Sequence, residues 1–113
     1  MLIVDFWATW CGPCKAELPT FTVLQSQYAK QGFSVIGLST DDQVQTVRQF
    51  AEKNNINYPL LMADTKAQQD YGNISALPTT FVIDRKGVVR YTHTGTPDNM
   101  LIFQQQVEEL LGE

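Results

Sequence analysis

Cys11 and Cys14 stand three residues apart in the run Trp10-Cys11-Gly12-Pro13-Cys14, and the chain has no other cysteine. Two thiols at this spacing can close and reopen a small disulfide ring, exchanging two electrons with another disulfide through a mixed-disulfide intermediate. The run follows an apolar segment, Met1 to Trp7, and opens a helical pattern, so both sulfurs fall at a strand-to-helix junction. In the first turn of a helix, unpaired backbone N–H groups and the positive end of the dipole favour thiolate over thiol. Cys11 is therefore expected to be the nucleophile and the more exposed sulfur. Cys14, inside the first turn, is expected to be the resolving thiol. Pro13 has no N–H to lose and suits a helix opening, and Gly12 leaves room for a substrate chain to approach Cys11.

Blander readings compete. One cysteine pair with the distant His93, the sole histidine, falls short of the roughly four ligands of a zinc site, so no metal is expected. A purely structural disulfide here closes too short a loop to gain much chain entropy. Two inert buried thiols stay open as a reading, opposed by their place at the junction. Asp5 interrupts the apolar first strand, so its carboxyl is expected to be partly buried with a raised pKa; the alternative is a strand residue capped by solvent. Trp10 is expected on the substrate-facing surface, and Trp7 and Phe81 in the core. Lys15 and Glu17 flank the motif as helix-surface charges of minor energetic weight, with some bearing on substrate choice. No catalytic role is expected for His93.

The elements that must hold these residues alternate along the chain. After the first strand, Leu18, Phe21, Leu24 and Tyr28 recur at helical spacing up to Gly32, with Pro19 expected to kink that helix. Phe33 to Ser39 reads as a strand. Thr40-Asp41-Asp42 offers caps for a helix with an apolar stripe of Val44, Val47, Phe50 and Ala51. A short apolar run at Tyr58 to Met62 precedes a short helix capped by Asp64 and ending at Gly72. Thr79 to Asp84 and Val88 to His93 form a hairpin through Asp84-Arg85-Lys86-Gly87. Met100, Phe103, Val107 and Leu110 mark a last helix. This pattern implies an α/β layer with a parallel part and an antiparallel edge. The expected strand order is 58–62, 33–39, 2–7, 79–84, 88–93, which covers apolar edges.

At 113 residues, 43% hydrophobic and 18% charged, the chain fits one domain, 1–113, that buries somewhat over about 60% of its unfolded surface without a disulfide scaffold. The formal charge of −4 and the lack of basic runs interleaved with aromatics argue against nucleic acid. No segment approaches the roughly 20 apolar residues that span a bilayer, so this segment is not expected to insert in a membrane.

Val4-Asp5-Phe6-Trp7-Ala8-Thr9-Trp10-Cys11-Gly12-Pro13-Cys14-Lys15 resembles the active-site segment of thioredoxins. The finer pattern resembles TlpA/ResA-type thiol-disulfide oxidoreductases: Ala8-Thr9 before the motif, Lys15-Ala16-Glu17-Leu18-Pro19 after it, and a long insert at about 40–73 before Leu77-Pro78-Thr79-Thr80-Phe81-Val82-Ile83-Asp84. The resemblance implies a thioredoxin-like fold, with a mixed sheet of four to five strands flanked by helices on both faces. It also implies that Pro78 is a cis-proline opposite the disulfide and that the Leu77 backbone pairs with an extended substrate. Trp10, Gly12, Pro13, Leu77, Pro78 and Thr79 would then be substrate-binding. An ordinary strand start is the alternative for Pro78. Asp5 would accept the proton of Cys14. Here the sequence departs from both patterns: TlpA-like domains often carry Asn at this position, and thioredoxin's partner lysine has no counterpart in Phe33 to Ser39.

The function so implied is a thiol-disulfide oxidoreductase that mainly reduces protein disulfides, without a cofactor, as a monomer. An upstream thiol reductase, membrane-embedded in the resembling systems, would restore its electrons. The resemblance points to the bacterial cell envelope or periplasm, with a cytoplasmic location left open, and to a natural protein whose N-terminal strand and hairpin this chain lacks. Two rivals stand. The insert and Leu60-Leu61-Met62-Ala63-Asp64 resemble peroxiredoxins, but a peroxidatic cysteine is preceded by a Pro and by a Thr two residues further upstream than Thr9, and neither is present. Alternatively, the fold serves as a peptide-binding module and the cysteines as a local staple.

Overall fold

The computed structural model describes residues 1–113. Strand β1 (Leu2–Trp7) has apolar residues on both faces, and it takes the centre of a five-stranded sheet where both faces are covered. β2 (Ser34–Ser39) pairs parallel to β1, and β3 (Leu60–Met62) parallel to β2. On the other side, β4 (Thr79–Ile83) pairs antiparallel to β1, and β5 (Val89–Thr94) antiparallel to β4. The order β3-β2-β1-β4-β5 is the one expected from the sequence.

The crossovers from β1 to β2 and from β2 to β3 step the same way across the sheet, so right-handed connections place their helices on one face. These are α1 (Gly12–Tyr28) and α2 (Val44–Lys53), and α4 (Leu101–Leu111) joins them. Ile3, Val35 and Val82 of the sheet meet Phe21 and Leu24 of α1 and Phe103 and Val107 of α4 there. The opposite face, Val4, Phe6, Phe81 and Ile83, lies under Ala67 of α3 (Thr65–Asp70) and Tyr71 and Ile74 beyond it.

Two local expectations need correction. Helix α1 continues through Pro19, whose ring lies on the exposed side. Helix α2 is not capped by Thr40, Asp41 or Asp42: its N-cap is Gln43, with no side-chain hydrogen bond. Asp41 instead spends its carboxylate on Thr9 and Ser39. Within the α2 stripe, Val47 is buried and Val44 is half exposed, because the helix turns its first residue away from the sheet. The Asp64 cap holds, with its carboxylate accepting from Ala67 N–H.

Candidate active site

β1 ends at Trp7, and α1 begins at Gly12 with Cys11 as its N-cap. The chain must reverse between them, and the Cys11 N–H to Ala8 carbonyl bond of 3.1 Å closes that turn. Cys11 and Cys14 are joined by a disulfide with their Cα atoms 5.3 Å apart. Cys11 Sγ also accepts from the Cys14 N–H at 3.2 Å, so one of the orphan donors of the helix start already points at the sulfur. Cys11 keeps 6% of its surface and Cys14 none, which matches the expected assignment of outer and inner sulfur. Cys11 is nevertheless more enclosed than its position in sequence suggested, because Trp7, Ala8 and Val47 pack around the pair.

A cleft of ≈ 490 Å³ opens beside Cys11, between Trp10, Gly12 and Pro13 on one side and Ile74, Ser75, Ala76 and Leu77 on the other, with Thr40 and Gln68 completing it. Trp10 is 69% exposed at its rim. The Leu77–Pro78 peptide is cis. Backbone N–H and C=O of Leu77 make no hydrogen bond within the chain, whereas Pro78 C=O accepts from Gly95 N–H at 2.7 Å. Pro78 and Thr79, expected to bind substrate, are buried behind this wall rather than lining the cleft. The Thr79 hydroxyl turns inward and donates to the Ala76 carbonyl at 2.7 Å, which shapes the loop instead of facing a ligand.

Two carboxyls are buried in the adjoining core: Glu17, one helical turn after Cys14 on the buried face of α1, and Asp5 on β1, whose pKa Glu17 raises. Asp5 is 1% exposed; Gly37 flanks it on β2 and Thr80 on β4. Thr80 Oγ1 donates to Asp5 Oδ1, but Oδ2 has no partner. Burial therefore holds the Asp5 pKa well above the ordinary carboxylate range, an effect reinforced by Glu17 and opposed by the Thr80 hydrogen bond. Glu17 was expected at the helix surface, and this is wrong: it is fully buried, and neither carboxylate oxygen has a hydrogen-bond partner. The neighbouring Thr96 hydroxyl spends its proton on the Pro13 carbonyl at 3.2 Å. Desolvation pushes the Glu17 pKa up to about 7, with Thr96 a lesser opposing influence. Tyr58, buried in the same region, has its phenol pushed up by burial first and by Asp5 and Glu17 next.

The burial of Glu17 was legible in principle. It lies three residues after Cys14 and four before Phe21, on the same helical stripe that faces the sheet. Lys15, by contrast, is exposed, with Nζ 6.0 Å from the Phe50 ring centre. His93 sits away from the disulfide, its Nε2 2.8 Å from Gln106 Oε1 and its ring packed edge-on to Phe103.

Together these residues can accept a nucleophilic attack at the disulfide from the cleft and move a proton. A sulfur at a helix start beside an open cleft suits attack on a disulfide, and buried carboxyls with raised pKa suit proton transfer.

Comparison with known proteins identifies the family. The sequence profile of the AhpC/TSA family matches residues 1–92. The chain is 36% identical over 98 residues to the thioredoxin-like protein YneN of Bacillus subtilis, covering 84% of this chain and 56% of that protein. It is 34% identical over 95 residues to the thiol-disulfide oxidoreductase ResA of Geobacillus kaustophilus, covering 84% of this chain and 55% of ResA. The chain thus spans little more than half the length of these relatives. Among solved structures, a thiol:disulfide interchange protein described as DsbE from Chlorobium tepidum superposes with a TM-score of 0.89 at 31% identity, covering 98% of this chain and 79% of that one. Sequence and fold agree that the chain belongs to the AhpC/TSA family of thioredoxin-fold proteins, as a relative of the ResA-type thiol-disulfide oxidoreductases.

Proposed function

We propose that this chain is the redox domain of a thiol-disulfide oxidoreductase that mainly reduces protein disulfides. The observation that carries the reading is the Cys11–Cys14 disulfide at the start of α1, open to a cleft beside Cys11, with the buried Glu17 carboxyl one helical turn after Cys14. In the dithiol form, Cys11 thiolate attacks a substrate disulfide; a mixed disulfide forms and one substrate thiolate leaves. Trp10, Gly12 and Pro13 form one wall for the substrate chain, and the free backbone groups of Leu77, held by Pro78 and Thr79, offer it an extended strand to pair with. Asp5 and Glu17 then supply a carboxylate that takes the Cys14 proton. Cys14 thiolate attacks Cys11 Sγ, releasing the second substrate thiolate and restoring the disulfide.

Two electrons must then return from an upstream thiol reductase. The bacterial relatives and the envelope resemblance support a partner embedded in a membrane and a site of action in the cell envelope. The chain itself has no helix long and apolar enough to cross a membrane.

Trapping with Cys14→Ser tests the reading. Without the resolving thiol, Cys11 should accumulate mixed disulfides with proteins bearing disulfides, separable by non-reducing electrophoresis. Loss of trapping together with partner binding that survives Cys11→Ser would support the peptide-binding alternative, and peroxide consumption without disulfide reduction would support the peroxidase one.

A further inference from the structure

We propose that Asp41 positions the Cys11 nucleophile by clamping the Thr9–Trp10 loop to the end of β2. Thr9 and Trp10 belong to no strand or helix, yet they carry the chain from the central strand to the reactive sulfur. Asp41 Oδ2 accepts the Thr9 N–H at 2.9 Å, and Oδ1 accepts the Thr9 hydroxyl at 2.6 Å. The same carboxylate accepts the buried Ser39 hydroxyl at 2.7 Å, and Ser39 Oγ in turn accepts the Asp41 N–H at 3.0 Å. Next to it, Thr40 N–H donates to the Trp7 carbonyl at 2.9 Å. The loop before Cys11 is thus held by residues more than thirty positions away, through charge-assisted bonds that are shorter and stronger than neutral ones.

The consequence for the sulfur follows from its surroundings. A Cys11 thiolate is stabilised by the helix start, which means by staying within hydrogen-bond reach of the Cys14 N–H. Releasing Thr9 frees the segment that fixes this distance, weakens that bond and makes Cys11 a weaker acid. The negative charge of Asp41 acts in the opposite sense, since an anion near a thiol raises its pKa and removing it lowers the pKa. No ionisable side chain other than Cys11 itself lines the adjoining cleft, but Cys14, Lys15 and the buried Glu17 on α1 and the buried Asp5 on β1 also act on the pair; they are the same in every variant, so the difference between variants reports Asp41. Asparagine separates them. Its carbonyl can keep the Thr9 N–H and Ser39 bonds, and its NH₂ can donate to a rotated Thr9 hydroxyl, so geometry survives while charge is lost.

The inference rests on Cys11 being the attacking thiol. The test is the pH dependence of iodoacetamide alkylation of the reduced protein, with the modified sulfur located by mass spectrometry, in wild type, Asp41→Ala, Asp41→Asn and Thr9→Val. Asp41→Ala should raise the Cys11 titration midpoint, cutting its thiolate fraction near neutral pH by about threefold, and Asp41→Asn should stay at or below the wild-type midpoint. Thr9→Val, which removes only one donor, should shift it less and in the same direction as Asp41→Ala; this variant carries the test should Asp41→Ala not fold. A lowered midpoint in both Asp41 variants would mean that the carboxylate acts through charge alone and would overturn the proposal. So would unchanged midpoints accompanied only by a lower melting temperature. Alkylation of Cys14 in place of Cys11 in the wild type would instead sink the proposed function and this inference with it.

Discussion

The Thr80 hydroxyl on β4 donates to Asp5 Oδ1 on β1 at 3.1 Å, and it is the one hydrogen bond that this buried carboxyl receives. Across the strand on the other side stands Gly37, which has no side chain to offer a cation or a donor. Asp5 therefore sits between a weak partner and none, with the partnerless Glu17 raising its pKa further. A carboxyl with its pKa raised by burial is a stronger base than an ordinary one once ionised, and so takes up a proton more readily, which is what a resolving thiol needs.

Removing either acid should slow resolution rather than attack. In Asp5→Asn and in Glu17→Gln, mixed-disulfide formation should proceed at the wild-type rate, and the mixed disulfide should persist about tenfold longer or more, as befits loss of general-base help. Rapid-quench trapping with a peptide disulfide measures both steps. Because Glu17 titrates at about 7, the wild-type resolution rate should rise with pH toward that value, and Glu17→Gln should flatten this limb. A wild-type lifetime in both variants would remove the carboxyls from the mechanism.

The same raised pKa makes stability depend on pH in a defined direction. Glu17 is protonated in the folded protein at pH values where the unfolded chain is already ionised, so the folded state binds more protons between the ordinary value of 4.5 and about 7. Oxidised wild type should therefore lose stability as pH rises through that window, by up to about 3 kcal/mol from this group. Asp5 adds a loss of the same sign. Denaturant melts at pH 5 and pH 8 should show a smaller difference for Glu17→Gln than for wild type, with the variant the more stable at pH 8.

Gly37 should tolerate no side chain without cost. A Cβ there would lie 2.5 Å from Leu60 Cδ2 and 3.0 Å from Trp7 Nε1; Leu60 can rotate away, but the fully buried Trp7 cannot easily follow. Gly37→Ala should cost about 1 to 3 kcal/mol by overpacking, visible as a lower denaturation midpoint. Unchanged stability would mean that the Trp7 layer is looser than its packing shows.

Trp10 should govern substrate affinity and not thiol chemistry. Its ring is 69% exposed at the cleft rim, so Trp10→Ala removes contact area for a bound chain while leaving the helix start intact. The KM for a peptide disulfide should rise by about fivefold to thirtyfold, from about 1 to 2 kcal/mol of lost apolar contact, with the Cys11 alkylation midpoint unchanged. Steady-state kinetics and thiol titration check this together.

The sequence by itself determined the strand order, the cysteine pair at a strand-to-helix junction, the burial of Asp5 and the exposure of Trp10. Those are consequences of local periodicity and of residues adjacent in the chain, such as the apolar run of β1 followed at once by Cys11-Gly12-Pro13-Cys14. Only the tertiary structure decided that Glu17 comes close enough to Asp5 to raise its pKa with no donor for either Glu17 oxygen, that Thr79 and Pro78 are buried beside the cleft wall, and that Asp41 holds Thr9 instead of capping α2. The physical reason is the range of the interactions. A side chain's helical face can be counted from spacing, but whether a carboxylate finds a donor depends on which distant segment the fold brings beside it. Thr9 and Asp41 are 32 residues apart, and Asp5 and Thr80 are 75 apart, so their partnerships exist only once the sheet has formed.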